Sequence, residues 1–137
     1  MKFKLNAIIK KIVRDCTELE EQGILSLAVC SNDSSLYPED SFEKMKSYSK
    51  KNKLTFPYLH DSDQKVASSY EAVCTPDFFG FNSKNELQYR GRLEASQQQL
   101  IPNSKKELLE AMLQIAETGI GPKDQIPSIG CSIKWKE

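Results

Sequence analysis

The side chains in this sequence that could do chemistry are four thiols, one imidazole and a pair of closely spaced guanidinium groups. The thiols are Cys16, Cys30, Cys74 and Cys131, separated by 14, 44 and 57 residues. A redox dithiol or a zinc site places two cysteines within a few residues, as in C-x-x-C. None of these gaps does so. Four cysteines allow three complete pairings, and spacing does not choose among them; in a reducing compartment free thiols are the default. His60 is the only histidine, with Asp61 and Asp63 beside it. Metal sites usually need three or four ligands, and these are turn and capping residues, so neither a metal nor another cofactor is implied. Arg90 and Arg92 could hold an anion, although exposed strand positions explain them as well.

These residues must be positioned by a small set of elements. Leu5, Ile8, Ile9, Ile12, Cys16 and Leu19 recur at helical spacing, and Gly23 stands where a helix would stop. A helix is predicted from about Leu5 to Gln22. The apolar run Ile24–Cys30 has the length of a strand buried on both faces. Ser31–Ser35 reads as a loop. Pro38, with Glu39 and Asp40 behind it, opens a helix that should reach Lys51. Leu54–Leu59 should be extended. Asp61 with Gln64 looks like a capping box for a helix through Tyr70. The runs Asp77–Phe81 and Glu86–Arg90 flank Asn82–Asn85 as a hairpin. A polar loop from Glu94 to Asn103 follows. Ser104 with Glu107 looks like a second capping box, for a helix whose buried stripe is Leu108, Leu109, Met112, Leu113 and Ala116. Gly119, Gly121, Pro122 and Pro127 end that helix and begin an irregular tail over 119–137. The alternation of helix and strand implies a single three-layer α/β domain over 1–137.

Composition is that of an ordinary globular protein. Of 137 residues, 39% are hydrophobic and 28% charged, and Lys plus Arg equals Asp plus Glu at 19 each. With that balance no basic excess points to nucleic acid or an anionic membrane. No apolar run approaches the roughly 20 residues of a membrane span. Lys10 and Lys11 interrupt any signal-peptide core. A cytoplasmic location is therefore expected.

Four segments carry a resemblance. They are Ser31-Asn32-Asp33 with Tyr37-Pro38-Glu39-Asp40-Ser41, Ala72-Val73-Cys74-Thr75-Pro76-Asp77-Phe78-Phe79, Tyr89-Arg90-Gly91-Arg92-Leu93, and the tail Pro127–Lys136. Together they resemble the peroxiredoxin-like, AhpC/TSA-type redoxins of the thioredoxin superfamily, from about Ala7 to the end of the chain. The resemblance implies a thioredoxin-like α/β/α sandwich and thiol–disulfide or peroxide-linked chemistry. It also implies that Cys74, Thr75 and Pro76 form a cis-proline loop that faces the redox centre and presents backbone to a bound peptide. Aligned through Ala7-Ile8-Ile9, the family's second active-site cysteine would fall near Lys2 and the first before Met1. The chain thus looks N-terminally truncated relative to the family, without its first strand and cysteine pair.

Cys74 and Cys131 are the candidate thiols, either as a pair or singly, against the plainer reading that Cys74 packs as a small hydrophobe and Cys131 is an ordinary tail thiol. Cys16 and Cys30 are assigned to the core, and Trp135 should anchor the tail by burying its ring. The Thr75–Pro76 bond is expected to be cis. Activity should be absent from this chain for want of a cysteine pair. The alternative function is a non-catalytic thioredoxin-fold module that binds a protein thiol, disulfide or peptide partner. Without a central strand, the strands on either side of its place should close up, lose stability or associate, most simply as a homodimer.

Overall fold

The computed structural model describes residues 2–97 and 101–137, with the backbone alone for residues 2–7. Part of the expected polar loop (98–100), the N-terminal methionine and the Leu5 side chain therefore lie outside the described residues. Helix α1 spans Lys2–Glu21. Its stripe of Ile8, Ile9, Ile12 and Leu19 is buried because residues three and four apart share a helix face. It ends at Gly23, whose φ of +80° suits a residue without a Cβ, as Gly23 donates to Glu20 O and Ile24 to Leu19 O.

The predicted seven-residue strand shrinks to β1, Ala28–Cys30. A ladder is only as long as its partner, and β1 pairs in parallel with β2, Tyr58–His60, through three residue pairs. Leu25 and Leu27 consequently stay exposed, at 84% and 62%, so the expectation of burial on both faces fails. The connection also differs from the single helix expected from Pro38 to Lys51. Pro38–Asp40 is a separate 3-10 turn, and Ser41 then extends before α2, Phe42–Lys51. Ser41 caps α2 by accepting from Lys44 N, a cap that the Pro-Glu-Asp signal concealed.

After β2 comes the short α3, Lys65–Ser69, then β3, Cys74–Thr75, and the hairpin of β4, Phe78–Phe81, and β5, Leu87–Gly91. Helix α4, Glu107–Thr118, ends at the left-handed Gly119. It lays Leu108, Leu109, Met112 and Ile115 against α1 and Tyr89 of β5 in the main core, whereas Leu113 is only partly buried and Ala116 is exposed. The tail is less irregular than expected. Cys131–Ser132 forms β6, antiparallel to β3. Trp135 is 45% exposed and does not anchor the tail, whereas Ile133 is buried.

Among the described residues the strands form three two-stranded sheets, so β1 and β4 have not closed on one another. Between them lies a trough of about 1420 Å³ lined by β1, β4, α1, α3 and α4. Backbone alternation shows which groups face it. Ala28 N donates to Pro57 O and Cys30 O accepts from Asp61 N, so Ala28 and Cys30 face β2 and Val29 faces away. On the other side Arg90 N donates to Gln125 Oε1, so Arg90 and its partner Phe79 form a non-hydrogen-bonded pair. The N–H and C=O of Val29 and Phe79 thus point away from their own sheets.

Candidate functional site

Ligands of open α/β sheets bind outside strand carboxyl ends. Here the tail bonds both to the loops that follow β1 and β2, at Asp33 and Gln64, and to the β3–β4 turn, at Pro76. In the β3–β6 ladder Cys74 stands opposite Ser132 and Thr75 opposite Cys131. The Thr75–Pro76 bond is cis. Directly opposed residues share a face, and successive residues alternate. Cys131 therefore lies on the face of Thr75, and Cys74 projects to the other. The register brings the two candidate thiols to one ladder but does not aim them at each other. Pairing them would take a one-residue slip.

Cys74 is half-buried. Its thiol donates to Pro76 O at 3.5 Å and Ser128 O at 3.7 Å. Burial pushes its pKa up and the nearby Asp77 carboxylate adds to the rise. An activated nucleophile needs the reverse. Cys16 is raised too, first by burial, with a Ser26 hydrogen bond opposing. It packs on the core, and Cys30 is buried at the end of β1, as expected of both.

The tail is held by side chains whose roles the sequence did not reveal. Gln97 Nε2 donates to Ser128 Oγ at 2.6 Å and Ile129 O at 2.8 Å, while its Oε1 accepts from Leu93 N. The Ser128 hydroxyl donates to Pro76 O. A Cβ on Gly130 would overlap the Thr75 carbonyl oxygen, so the backbones approach closely only because that residue is glycine. Further on, Lys134 O accepts from Asp33 N at 2.8 Å and Gln64 Nε2 at 2.9 Å, and Gln64 Oε1 accepts from Lys136 N at 3.0 Å. Gln64 is left-handed with φ of +61° and is no part of a capping box. Asp61 serves α3 instead, accepting from Val66 N and Ala67 N and from Ser31 Oγ, and Asp63 accepts from Lys65 N. Burial alone would raise the Asp61 pKa, but these bonds hold it below the ordinary carboxylate value.

The remaining candidates are committed elsewhere. His60 stacks on Phe42 with centroids 6.1 Å apart. Arg90 pairs with Asp77 at 3.4 Å, donates to Glu71 O and lies over the Phe79 ring. Arg92 grips Glu107 through two nitrogens, and Ser104 donates to Glu94. The expected Ser104–Glu107 capping box is therefore replaced by two tertiary contacts. Glu94, 2% exposed, also takes Lys11 at 2.9 Å and Arg14 at 3.1 Å.

Comparison with known proteins decides the family. The model of the AhpC/TSA family matches residues 4–92. The chain belongs to the AhpC/TSA family. No curated protein matches the sequence. Among solved structures, it is similar to an uncharacterized conserved protein from Geobacillus kaustophilus, at 39% identity and a TM-score of 0.87 over 96% of this chain and 70% of that one. It is also similar to a hypothetical protein from Sinorhizobium meliloti, at 31% identity and a TM-score of 0.87 over 96% of this chain and 73% of that one. The chain is thus a redoxin-type protein with a thioredoxin-like α/β fold. The family match covers the loops after β1 and β2 and the Thr75–Pro76 segment, and the structural likeness extends over nearly all the chain. Among the described residues no helix is long and apolar enough to cross a membrane.

Proposed function

We propose that this redoxin-family chain recognises an extended polypeptide along the Thr75–Pro76 edge, and that its own four thiols carry out neither thiol–disulfide exchange nor peroxide reduction. The observation behind the reading is that β3 already accepts an extended segment as an antiparallel neighbour, a standard mode of peptide binding. The chemistry of the thiols supports the second half. Exchange needs a thiolate and a resolving thiol within reach. Cys74 has a raised pKa, and Cys131 sits on the opposite face of the same ladder. The partner is a protein thiol, disulfide or peptide segment, met in the cytoplasm, where thiols stay reduced. Two assays of the purified 137-residue chain test the catalytic half: insulin reduction with dithiothreitol as donor, and steady-state peroxide consumption. Neither should rise above the uncatalysed rate, and Cys74→Ser should change neither. Turnover abolished by Cys74→Ser would overturn the reading in favour of a working single-thiol enzyme.

A further inference from the structure

The tail segment that occupies β3 meets it with side-chain chemistry, and that chemistry describes what could replace it. Besides the bonds from Gln97 Nε2 to Ile129 O and from the Cys74 thiol to Ser128 O, three features define the seat. The Ser128 hydroxyl sits between Gln97 Nε2 and Pro76 O, accepting from the first and donating to the second. Two residues on, Gly130 lies where any Cβ would collide with the Thr75 carbonyl oxygen. Beyond it, Cys131 and Ser132 pair with Thr75 and Cys74. The seat therefore reads a hydroxyl, then any residue, then a glycine, ahead of a short extended stretch.

We infer that residues 128–132 are an internal occupant of the polypeptide-binding edge, and that the partner segment is an extended Ser-x-Gly strand that binds by displacing them. This rests on the peptide-edge reading given above and adds its selectivity and its control. A hydroxyl at the first position satisfies the buried Gln97 amide, which would otherwise lose a partner. A larger side chain at the third is refused by backbone that cannot give way. The tail has a second mooring beyond the seat, where Asp33 N and Gln64 Nε2 hold Lys134 O. Residues 128–132 can thus leave β3 while the end of the chain remains attached. Because the internal segment competes at very high effective concentration, an external segment binds with an affinity reduced by the fraction of molecules whose edge is open.

The test uses a fluorescent peptide of residues 127–133 carrying Cys131→Ser, followed by anisotropy, with a second peptide carrying Gly130→Val in addition. The proteins are the unaltered chain and its Gly130→Val variant, whose own tail can no longer seat. The variant should bind the first peptide about tenfold more tightly than the unaltered chain, or better, and neither protein should bind the second. Equal binding of the first peptide by both proteins would overturn the internal-occupant proposal. Equal binding of both peptides by the variant would overturn the Ser-x-Gly rule and leave the peptide edge standing. No binding by a folded variant would overturn the peptide edge itself. A readout that needs no variant is amide exchange in the unaltered chain. A saturating excess of the first peptide should remove the protection that the β3 ladder gives residues 131–132, while protection at Asp33 persists. Tail protection unchanged by that excess would also sink the displacement.

Discussion

The Cys74 hydrogen lies between two carbonyl oxygens, Pro76 O and Ser128 O. Burial strips the thiolate of its solvation and the nearby Asp77 carboxylate repels it, so the pKa is raised and the thiol is not activated. The part of alkylation by iodoacetamide that Cys74→Ser removes should be slow at pH 7. It should still be climbing at the pH where an ordinary thiol, with a pKa of about 8.5, has levelled off. A plateau near neutrality would mean a thiolate that this environment does not permit. Glu94 shows the opposite balance. Burial would raise its pKa, but hydrogen bonds from Ser104, Lys11, Ser96 and Arg14 outweigh that and hold it at about 2. A carboxyl depressed on folding adds stability above its unfolded pKa, and the gain is lost as pH falls through the folded one. The contribution is roughly 3 kcal/mol at neutral pH by the usual 1.36 kcal/mol per unit, present above about pH 5 and gone near pH 2. Urea unfolding across that range should lose this slope in Glu94→Gln, which should also be less stable at pH 7.

At the scale of elements, the sequence speaks clearly where the signal is periodic or conformational, and poorly where a polar side chain chooses between a local and a distant partner. The stripe of α1 and the turns at Gly23 and Gly119 follow from the apolar spacing and the absence of a Cβ. Ser104 and Glu107 have the spacing of a capping box, yet Glu94 and Arg92 are stronger partners than two backbone amides at a solvated helix end. Gln64 and Gln97 hold the tail through bonds spanning 70 and 32 residues, and no window along the chain contains both ends. Likewise the cis Thr75–Pro76 bond is expected from the family resemblance of its segment, but the pairing of Cys131 and Ser132 with β3 is not, since a two-residue ladder leaves no pattern. Gly119 gives a clean test of the legible kind. Its φ is +78° and a Cβ there would meet nothing within 4 Å, so Gly119→Ala should cost about 1 kcal/mol from backbone conformation alone. Calorimetry should show a small drop in Tm with an unchanged fold. No loss at all would mean that the helix end can rearrange.

The whole molecule is shaped by the trough between β1 and β4. An ordinary ligand pocket is about 300–1,000 Å³, and this one is larger, at about 1420 Å³. Val29 and Phe79 present backbone polar groups to it from opposite sides. Leu27 and Leu59 remain 62% and 49% exposed nearby. Water can satisfy those polar groups but gains nothing from the apolar side chains, so the surface favours any neighbour that offers both hydrogen bonds and cover. In a solution of the 137-residue chain alone, the available neighbour is a second copy, and a closed two-fold pair is the simplest arrangement that satisfies both edges at once. Sedimentation equilibrium at micromolar concentration should therefore give a dimer mass. Leu27→Lys, which puts a charge on the exposed apolar rim without touching the α1–α4 core, should shift the equilibrium toward monomer while leaving the helical circular dichroism intact. A monomer at every concentration, with a single cooperative melt, would show that the trough is stable in water as it stands. The α1–α4 core would then hold the two halves of the fold without a strand between them.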